Sequence, residues 1–581
     1  MSRKKSRVPG EDPKTKPRRA PSSPEALASR ASSSAAIRET IESVVVAFVL
    51  AFLFRTFEAE AFVIPTGSMA PTLMGRHKDL EQCPVCGYAF QVSASDEVDQ
   101  NGHRKQPGYS VVECVCPMCR FPMDVGPDNS LGEDYPSCKG DRILVSKFAY
   151  QFSNPKRWDV AVFKYPGGAK TNFIKRLVGL PGETIRIENG DIFHRPTAEP
   201  ESRFTIARKS PQKLLAMLQP VFDNDTTPAI LKYGWTPRWQ AEGNAASSST
   251  DDDYRSFQLD GSVSGDSWIR YRHLVPTTLQ WHEALANDGQ PPMPRVEPQL
   301  ISDFNPYNTG LQSRDMGPEP GSSGLHWVGD LALSCTIEAK SNVGEAVFEL
   351  IEGGRHMQCR IDLANGSAVL LVEGLDDFHP TAPTAIREPG KHEVTFSNVD
   401  DQLRLWVDGE VVTFDGPTEY SPLQDMRPTQ ADLSPVGVGV AGGASLHVDH
   451  LKIFRDLYYI SVGGYDGGYG MRRSTDPLTD FIDYEYAKNV LRNPLMWDEN
   501  QRMPPAEFPL EDNQFLALGD NSAKSKDSRL WPLEQNEYFV DRRLLIGKAL
   551  YVYWPHSRDK LPGTQIPFPY FPNFAKMRLV R

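Results

Sequence analysis

A long unbroken run of apolar positions lies near the N-terminus, from Val44 to Phe54. The surrounding stretch, residues 37–57, would span roughly 30 Å as a helix at about 1.5 Å per residue. The residues before it are rich in Ser, Pro and Ala, and the first twenty carry Lys and Arg in large excess over acidic residues. The pattern predicts a disordered basic arm over residues 1–36 and one transmembrane anchor over residues 37–57, with its N-terminus in the cytoplasm.

Two other interpretations of this apolar run stay open. It is short enough for a buried core helix, and the small-x-small sequence Ala59-Glu60-Ala61 is compatible with a cleaved signal peptide. Cleavage after Ala61 would, however, leave the candidate catalytic segment described below at a free N-terminus. We therefore favour the anchor.

Short stretches of alternating apolar and polar residues fill the chain from 324 to 457. In the clearest of them Leu403, Leu405 and Val407 occupy alternate positions, and the following Asp408-Gly409 suits a hairpin turn. This pattern predicts an all-β sandwich insertion, similar to the laminin-G or concanavalin-like jelly roll. Residues 201–323 are rich in Pro, Asp, Ser and Trp and show poor periodicity, so they predict an irregular insertion.

Composition restricts the class of protein. The chain has 581 residues, too many for a single hydrophobic core, so at least two or three folding units are expected. It carries 63 Lys and Arg against 75 Asp and Glu, a formal net charge of -12. Nucleic acid is therefore not an expected partner, because the chain has no overall basic footprint.

Two apolar segments carry a serine and a lysine that together suggest nucleophilic catalysis. AFVIPTGSMAPTL, residues 61–73, predicts a strand that leads into a tight loop containing Ser68, and NFIKRLVGLPGETI, residues 172–185, places Lys175 on an apolar strand. Each residue also has an ordinary interpretation, as a turn serine or a snorkelling surface lysine. A lysine activates a serine only if burial lowers its pKa far below about 10.4, and an apolar strand supplies that burial.

A third segment, LGDNSAKSKDSRLWP, residues 518–532, concentrates polar groups in a loop that begins with glycine. It is either a solvated turn or a shell of residues that orients the lysine. Other catalytic arrangements lack their motifs: Gly-x-Ser-x-Gly does not occur, and His194, His273 and His556 have no motif around them.

Four segments in this order resemble the signature boxes of bacterial signal peptidase I, a serine peptidase with a Ser-Lys dyad. They are IPTGSMAPTL, GDRILVSKFAY, FIKRLVGLPGE and GDNSAKSKDSR, with GKALYVYWP behind them. Self-cleaving repressors of the bacterial damage response use a similar pair, but they carry a DNA-binding region where this chain has a basic arm and an apolar helix. The resemblance implies a mainly β protease domain, and no cofactor is expected for the chemistry.

The resemblance also implies a role for individual residues. Ser68 would be the nucleophile and Lys175 its general base, with the Ser68 backbone N–H and the Thr66 hydroxyl forming the oxyanion hole. Ser525 would hold the lysine amine, while Asp520 and Arg529 would form a supporting ion pair with Asp527 in the same network. The pockets for small substrate side chains would be lined by Phe62, Ile64, Pro65, Met69, Leu73, Phe173 and Ile174.

Cysteines cluster in a second insertion, residues 81–138, that the four segments do not include. Cys83, Cys86, Cys116 and Cys119 form two C-x-x-C knuckles, which predict a zinc-ribbon-like unit with a structural zinc ion. The spacing between the knuckles is longer than usual, Cys114 competes as a ligand, and Cys138 has no assignment. Oxidised pairs stay open as the alternative, because the catalytic domain is expected outside the cytoplasm.

The sequence thus predicts a mainly β protein whose discontinuous protease domain comprises residues 58–80, 139–200 and 458–581. We expect it to remove signal peptides from exported preproteins after small-x-small sites, at the outer face of the cytoplasmic membrane, with the lipid bilayer as a second partner. Two alternatives are a membrane-tethered binding protein with a relic protease core and a processing protease with few clients. Sugar binding by the sandwich stays open as an alternative, although no residue in its sequence supports it. The client range and the oligomeric state are not encoded legibly.

Overall fold

The computed structural model describes residues 39–49, 59–99, 103–105, 107–129, 135–168, 170–242, 248–249, 254–261, 266–287, 295–312, 324–387, 390–421, 426–461, 484–497, 504–531, 537–561 and 566–581. The chain divides into two units, Met1–Glu60 and Ala61–Arg581. The predicted basic arm, residues 1–36, lies outside the described residues.

The predicted membrane anchor is described only in part. Residues 39–49 are helical, whereas residues 37–38 and 50–57 lie outside the described residues. Among the helices that the structure describes, none combines the length and the apolar character needed to cross a bilayer.

The prediction of a mainly β protein is confirmed. Two sheets form the part that carries the candidate catalytic segments. The first contains, in order across the sheet, Ala59–Val63, Arg142–Ser146, Leu545–Trp554, Val160–Lys164, Asn172–Gly179, Gln514–Leu518 and Val540–Asp541, and Arg578–Leu579 also pairs with Leu545–Trp554. The second contains Thr205–Ile206, Asp191–Pro196, Glu183–Glu188 and Ala506–Pro509. Strands far apart in sequence are therefore neighbours in both sheets.

Two further antiparallel sheets build a sandwich from the inserted part of the chain. One contains Ser248–Ser249, Phe257–Asp260, Ser445–Arg455, Leu331–Ala339, Lys391–Asn398, Leu403–Val407 and Glu410–Val411, with Gln219–Asp223 also paired to Ser445–Arg455. The other contains Trp239–Glu242, Ser267–Tyr271, Val436–Ala441, Glu345–Glu352, Arg355–Asp362, Ser367–Val372 and Thr381–Pro383. Side chains from the two sheets share one apolar core.

The boundary predicted at residue 324 is wrong, because residues before it belong to the sandwich. Strand Ser267–Tyr271 pairs with Val436–Ala441, and strand Phe257–Asp260 pairs with Ser445–Arg455. Both strands alternate buried and partly exposed side chains. Both strands are short and are flanked by turn-forming residues, so the alternation of buried and exposed side chains could not be recognised in the sequence.

Short helices and turns connect these sheets. The described α-helices beyond residue 60 are Ala149–Phe152, Pro211–Met217, Thr227–Leu231, Thr278–Ala286 and Tyr484–Arg492. The 3-10 turns are Gly67–Met69, Ser95–Glu97, Pro107–Tyr109, Asn224–Thr226, Pro306–Asn308, Gln430–Leu433, Pro494–Met496, Ser522–Lys524, Arg542–Leu544 and Phe574–Lys576.

The cysteine-containing insertion forms small sheets of its own. Strand His77–Leu80 pairs with Phe90–Ser93 and Ser137–Cys138, and Glu113–Val115 pairs with Pro122–Asp124. Its buried cysteines belong to the same apolar core as the sandwich. The insertion therefore packs against the sandwich.

Candidate active site

Ser68 lies in a 3-10 turn, Gly67–Met69, that follows strand Ala59–Val63. The turn is closed by the bond from the Ala70 N–H to the Gly67 carbonyl, 3.0 Å. A Cβ atom on Gly67 would lie 2.0 Å from the ring of Tyr307, so only glycine fits under that ring. The turn is buried, and it points the Ser68 hydroxyl towards a strand of the first sheet that is not a direct neighbour of Ala59–Val63.

Lys175 lies on that strand, Asn172–Gly179, in the middle of the first sheet. Its Nζ atom is 2.6 Å from Ser68 Oγ, a direct hydrogen bond between residues that are 107 positions apart. The lysine is only 4% exposed and Ser68 only 9%. The structure thus brings the two predicted catalytic residues together in a site largely closed to water.

Burial lowers the pKa of Lys175 from its ordinary value to about 8. The nearby carboxylate of Asp527 raises this pKa, and the guanidinium of Arg529 lowers it. Neither Asp527 nor Asp520 forms an ion pair with Lys175 among the described residues, because each is engaged by an arginine. A lysine in this setting gives up its proton far more easily than one in water.

The ion pair predicted between Asp520 and Arg529 is wrong. Asp520 binds Arg176 through two hydrogen bonds, of 2.6 and 2.8 Å, and both side chains are fully buried. Arg529 instead binds Asp527 at 2.7 and 2.9 Å. The two residues of the second pair are only two positions apart in one loop.

Arg176 is a supporting residue that sequence reasoning missed. It follows Lys175 on the same strand, so its side chain points to the opposite face of the sheet. It also donates to the carbonyl of Trp158 at 2.8 Å. The signal was present in the sequence, because a second cation on an apolar strand requires a buried partner.

Asp527 and Arg529 stiffen the loop that follows strand Gln514–Leu518. Burial would raise the pKa of Asp527, but the charge and hydrogen bonds of Arg529 outweigh it and lower that pKa. Asp527 also accepts from the Gly519 N–H at 3.0 Å, and Arg529 donates to the carbonyl of Ile460 at 2.8 Å. The loop is thereby tied to Ile460, where the chain has just left the sandwich insertion.

Ser525 is placed next to the nucleophile but does not form the predicted hydrogen bond to the lysine. A Cβ atom on Gly519 would meet Ser525 Oγ at 2.1 Å and the Ser68 carbonyl oxygen at 2.4 Å, so these groups crowd together. The buried Ser525 hydroxyl has no hydrogen-bond partner in the part of the chain that is described. The expected bond to the lysine amine is therefore not formed in this arrangement.

Thr66 immediately precedes the turn that carries Ser68. Its backbone is extended, its side chain is exposed, and its hydroxyl makes no capping bond to the turn. The structure therefore leaves the Thr66 side chain exposed at the start of the turn that carries Ser68.

The predicted pocket residues fall into two neighbouring apolar clusters. Ile64, Met69 and Leu73 are buried in one of them, against partly buried Phe62 and Ile174. Phe173 belongs to the other, with the Lys175 amine 5.5 Å from its ring centre. Met69 and Leu73 are completely covered, so in this form neither side chain presents surface to a substrate, whereas Pro65 is exposed.

The four knuckle cysteines also come together. The Sγ atoms of Cys83, Cys86, Cys116 and Cys119 lie within 4.8 Å of one another. Cys83 is 3.6 Å from Cys119 and Cys86 is 3.5 Å from Cys116, far beyond a disulfide length of about 2.05 Å. Four thiolates about 2.3 Å from a tetrahedral zinc ion stand roughly 3.8 Å apart, so the cluster fits the predicted metal.

Residues 130–227 match the family model described as signal peptidase, peptidase S26. A stretch of 59 residues is 48% identical to signal peptidase I of Pseudomonas aeruginosa and covers 8% of this chain and 21% of that protein. A Synechocystis protein described as probable signal peptidase I-1 is 27% identical over 164 residues, 27% of this chain and 51% of that protein. The predicted resemblance to signal peptidase I is confirmed.

These matches are local. The chain spans about a fifth of the length of the first curated relatives. Among solved structures, the carbohydrate binding module CBM66 from Bacillus subtilis aligns with 37% of this chain and 94% of that chain, at 10% identity and a TM-score of 0.20.

Proposed function

We propose, from the similarity to signal peptidase I and from the contact between Ser68 and Lys175, that this protein is a serine endopeptidase that removes signal peptides from exported preproteins. The single observation that carries the proposal is the 2.6 Å hydrogen bond between the two buried side chains. A serine needs an adjacent base, and a desolvated lysine is one of the few side chains that can serve as one.

The reaction follows from this geometry. The Ser68 hydroxyl attacks the scissile carbonyl carbon as Lys175, in its neutral form, accepts the hydroxyl proton. The oxyanion is stabilised by the Ser68 backbone N–H and the Thr66 hydroxyl. Collapse breaks the peptide bond, the lysine gives its proton to the leaving amine, and water then hydrolyses the acyl-serine ester. No step requires a cofactor.

Selectivity for small residues before the cut is part of the proposal. Phe173 lies beside the Lys175 amine, and Phe62 and Ile174 pack against the cluster that contains Met69 and Leu73; all three side chains are partly exposed. Because Met69 and Leu73 are fully covered, little depth is left in that cluster for a large substrate side chain. Shallow apolar walls favour alanine, which matches a small-x-small cleavage site.

We also propose that residues 37–57 anchor the protein in the cytoplasmic membrane, with the catalytic part on its outer face. The support is the apolar run from Val44 to Phe54, the helix over residues 39–49, and the basic residues before them. Val46 and Phe48 are more than half exposed on this helix, as expected of side chains that face lipid.

A structural zinc ion at Cys83, Cys86, Cys116 and Cys119 completes the proposal. Four thiolates at tetrahedral spacing are the donor set that this metal prefers, and they fold short polar segments that have little core of their own. The metal would hold the two knuckles together. It has no part in peptide-bond cleavage.

The proposal is tested by cleavage of a preprotein with an Ala-x-Ala site by the detergent-solubilised full-length protein. We expect cleavage after the second alanine, and complete loss of activity in Ser68→Ala and Lys175→Ala. Ser557→Ala, which changes a serine far from the dyad in sequence, is the matched control and should retain activity. An inactive wild type, or a dyad variant that cleaves at the normal rate, would refute the proposed function.

A further inference from the structure

A short segment of the inserted part of the chain reaches the catalytic turn. Residues 303–311, DFNPYNTGL, will be called the bridging segment. It contains the 3-10 turn Pro306–Asn308, capped by the Asn305 side chain, which accepts from the Tyr307 N–H at 3.0 Å. No motif of the protease includes this segment, and nothing in the sequence near it indicates catalysis.

We propose that the bridging segment is a positioning element of the active site, with Asn308 as its central residue. It acts on the nucleophile through Asn521, which lies in the loop after strand Gln514–Leu518. This inference rests on the proposed function, because it assigns a role in the reaction of Ser68. It adds a residue from an insertion that the protease motifs do not contain.

Asn308 and Asn521 form a reciprocal amide pair. Each side chain donates from its Nδ2 atom to the Oδ1 atom of the other, at 2.7 Å in both directions. Two such bonds leave only one orientation for the Asn521 amide, since a rotation would bring like atoms face to face. Asn308 therefore fixes the direction in which Asn521 presents its remaining donor.

That remaining donor points at the catalytic turn. Asn521 Nδ2 also donates to the Gly67 carbonyl at 3.0 Å, and the Asn521 backbone N–H donates to the Ser68 carbonyl at 3.1 Å. Asn521 thus holds both the Gly67 carbonyl and the Ser68 carbonyl, which flank the Ser68 backbone nitrogen and Cα. Because the Ser68 side chain must stay 2.6 Å from Lys175, a small rotation of this turn would break the dyad contact.

Tyr307 holds the turn from a second side. Its ring occupies the space above Gly67, where even a methyl group would clash at 2.0 Å, and its hydroxyl donates to the Arg76 carbonyl at 3.0 Å. Tyr307 is 2% exposed. The turn is therefore confined between the Tyr307 ring, which belongs to the bridging segment, and the Asn521 amide, which Asn308 orients.

The bridging segment is itself fixed at both ends. Near its start, Arg455 of the sandwich donates to the carbonyls of Asp303 and Phe304 at 3.1 and 3.0 Å. At its end, Leu311 exchanges backbone hydrogen bonds with Val112 and Glu113 of the cysteine insertion, both at 2.8 Å. A segment held by two insertions provides a rigid support for the nucleophile.

The experiment compares Asn308→Ala with wild type in three measurements on the full-length protein in detergent. These are kcat and KM for an Ala-x-Ala peptide, the rate at which a peptidyl phosphonate labels Ser68, and the thermal unfolding midpoint. We expect kcat and the labelling rate to fall by about tenfold, the effect of one lost hydrogen bond to a positioned group, with KM and the unfolding midpoint nearly unchanged.

Two further variants complete the comparison. Asn489→Ala, at an exposed position of helix Tyr484–Arg492, is the matched control and should leave all three measurements unchanged. Tyr307→Phe removes only the hydroxyl and retains the ring above Gly67, so we expect it to fold even if Asn308→Ala does not. We expect it to slow labelling by a smaller factor than Asn308→Ala.

The outcomes separate this inference from the proposed function. Normal kcat and labelling in both variants would overturn the inference, as would a rise in KM alone, which would indicate a contact with substrate. A fall in the unfolding midpoint without slower labelling would also overturn it, by showing a purely structural role. If wild type cleaves no preprotein but Asn308→Ala still slows labelling of Ser68, the proposed function fails and the positioning role stands.

Discussion

At the scale of single residues, the property that matters most is the protonation of Lys175. Burial lowers its pKa to about 8, and neither nearby carboxylate is available to pair with it. Arg176 and Arg529 neutralise those carboxylates. In the proposed reaction the arginines would therefore contribute indirectly, because an aspartate free to pair with Lys175 would keep it charged.

The first prediction concerns the pH dependence of cleavage. Only the neutral amine accepts a proton, so kcat/KM should rise as pH increases through about 8 and level off above it. Initial rates measured on both sides of this value check the prediction. A profile that rises instead near 6.5, the ordinary value of histidine, would point to a different base.

The second prediction is that Lys175→Met stabilises the protein while abolishing activity. Lowering the lysine pKa from 10.5 to about 8 costs about 3 kcal/mol of stability at pH values below about 8, where the lysine is protonated in both the folded and the unfolded state. In wild type the cost is absent above the unfolded-state pKa of 10.5 and grows as the pH falls from 10.5 through 8, so stability is lost over that range. The advantage of the variant should therefore be full at neutral pH and vanish near 10.5.

Thermal unfolding of both proteins at these two pH values is the measurement. Lys164→Met is the control, because it changes an exposed lysine on the neighbouring strand and should alter stability little. An advantage of Lys175→Met that does not change with pH would show that the buried charge is not its cause.

At the scale of elements, ion pairs fix the loop after Gln514–Leu518 against its neighbours. The pair of Arg176 and Asp520 joins the central strand to the start of the loop, and Thr72 donates to the same carboxylate at 2.5 Å. The pair of Asp527 and Arg529 closes the other end. Asn521 and Ser525 lie between these two ties, beside the nucleophile.

The third prediction concerns the buried pair of Arg176 and Asp520. Arg176→Met leaves a carboxylate buried without its partner, so we expect a loss of about 3–5 kcal/mol in the free energy of unfolding. The double variant Arg176→Met/Asp520→Asn should lose less than the sum of the single variants, since no unpaired charge is left. Chemical denaturation of the four proteins measures the coupling.

An exposed pair is the control for this cycle. The Arg543 side chain is 88% exposed and pairs with Asp541, so Arg543→Met should cost less than about 1 kcal/mol. Strict additivity of Arg176→Met and Asp520→Asn would show that the two residues do not stabilise each other.

At the scale of the whole molecule, the inserted parts are joined to the protease sheets by buried contacts. Lys209 contacts Asp400 and Asp456 of the sandwich, both at 2.6 Å, and its amine lies 4.8 Å from the ring centre of Trp158. All three charged side chains are at most 3% exposed. The sandwich is consequently part of one folded unit and not a freely detached module.

The fourth prediction links the cysteine insertion to the active site. Loss of the proposed zinc, by chelation or in Cys116→Ser, should increase hydrogen exchange in residues 111–125 and in the bridging segment, because Leu311 bonds to Val112 and Glu113. Mass spectrometry should find about one zinc ion per chain. Cys114→Ala, a cysteine outside the cluster, is the control and should keep the metal.

Exchange that rises around the cysteines but not in residues 303–311 would contradict this link. It would mean that the sandwich alone holds the bridging segment, through the Arg455 bonds.

Much of the site could be read locally because its residues lie in short segments with strong patterns. The apolar strand around Lys175 and the Pro-Thr-Gly-Ser turn at Ser68 have the local features that their chemistry needs. The partners of Asp520 and Arg529 could not be read, because the path of the folded backbone decides which arginine meets which aspartate. The short strands Phe257–Asp260 and Ser267–Tyr271 were missed for a similar reason, since long-range pairing stabilises them.

The sequence by itself determined the mainly β class, the likeness to signal peptidase I, the serine and lysine, and the four clustered cysteines. These depend on local composition and spacing, which a linear chain displays directly. Only the tertiary structure decided which charges pair, that Ser525 makes no bond to Lys175, and that Tyr307 and Asn308 lie against the nucleophile. The contacts of Arg176 with Asp520 and of Asn308 with Asn521 join residues more than two hundred positions apart, and packing of the folded chain, not local preference, brings them together.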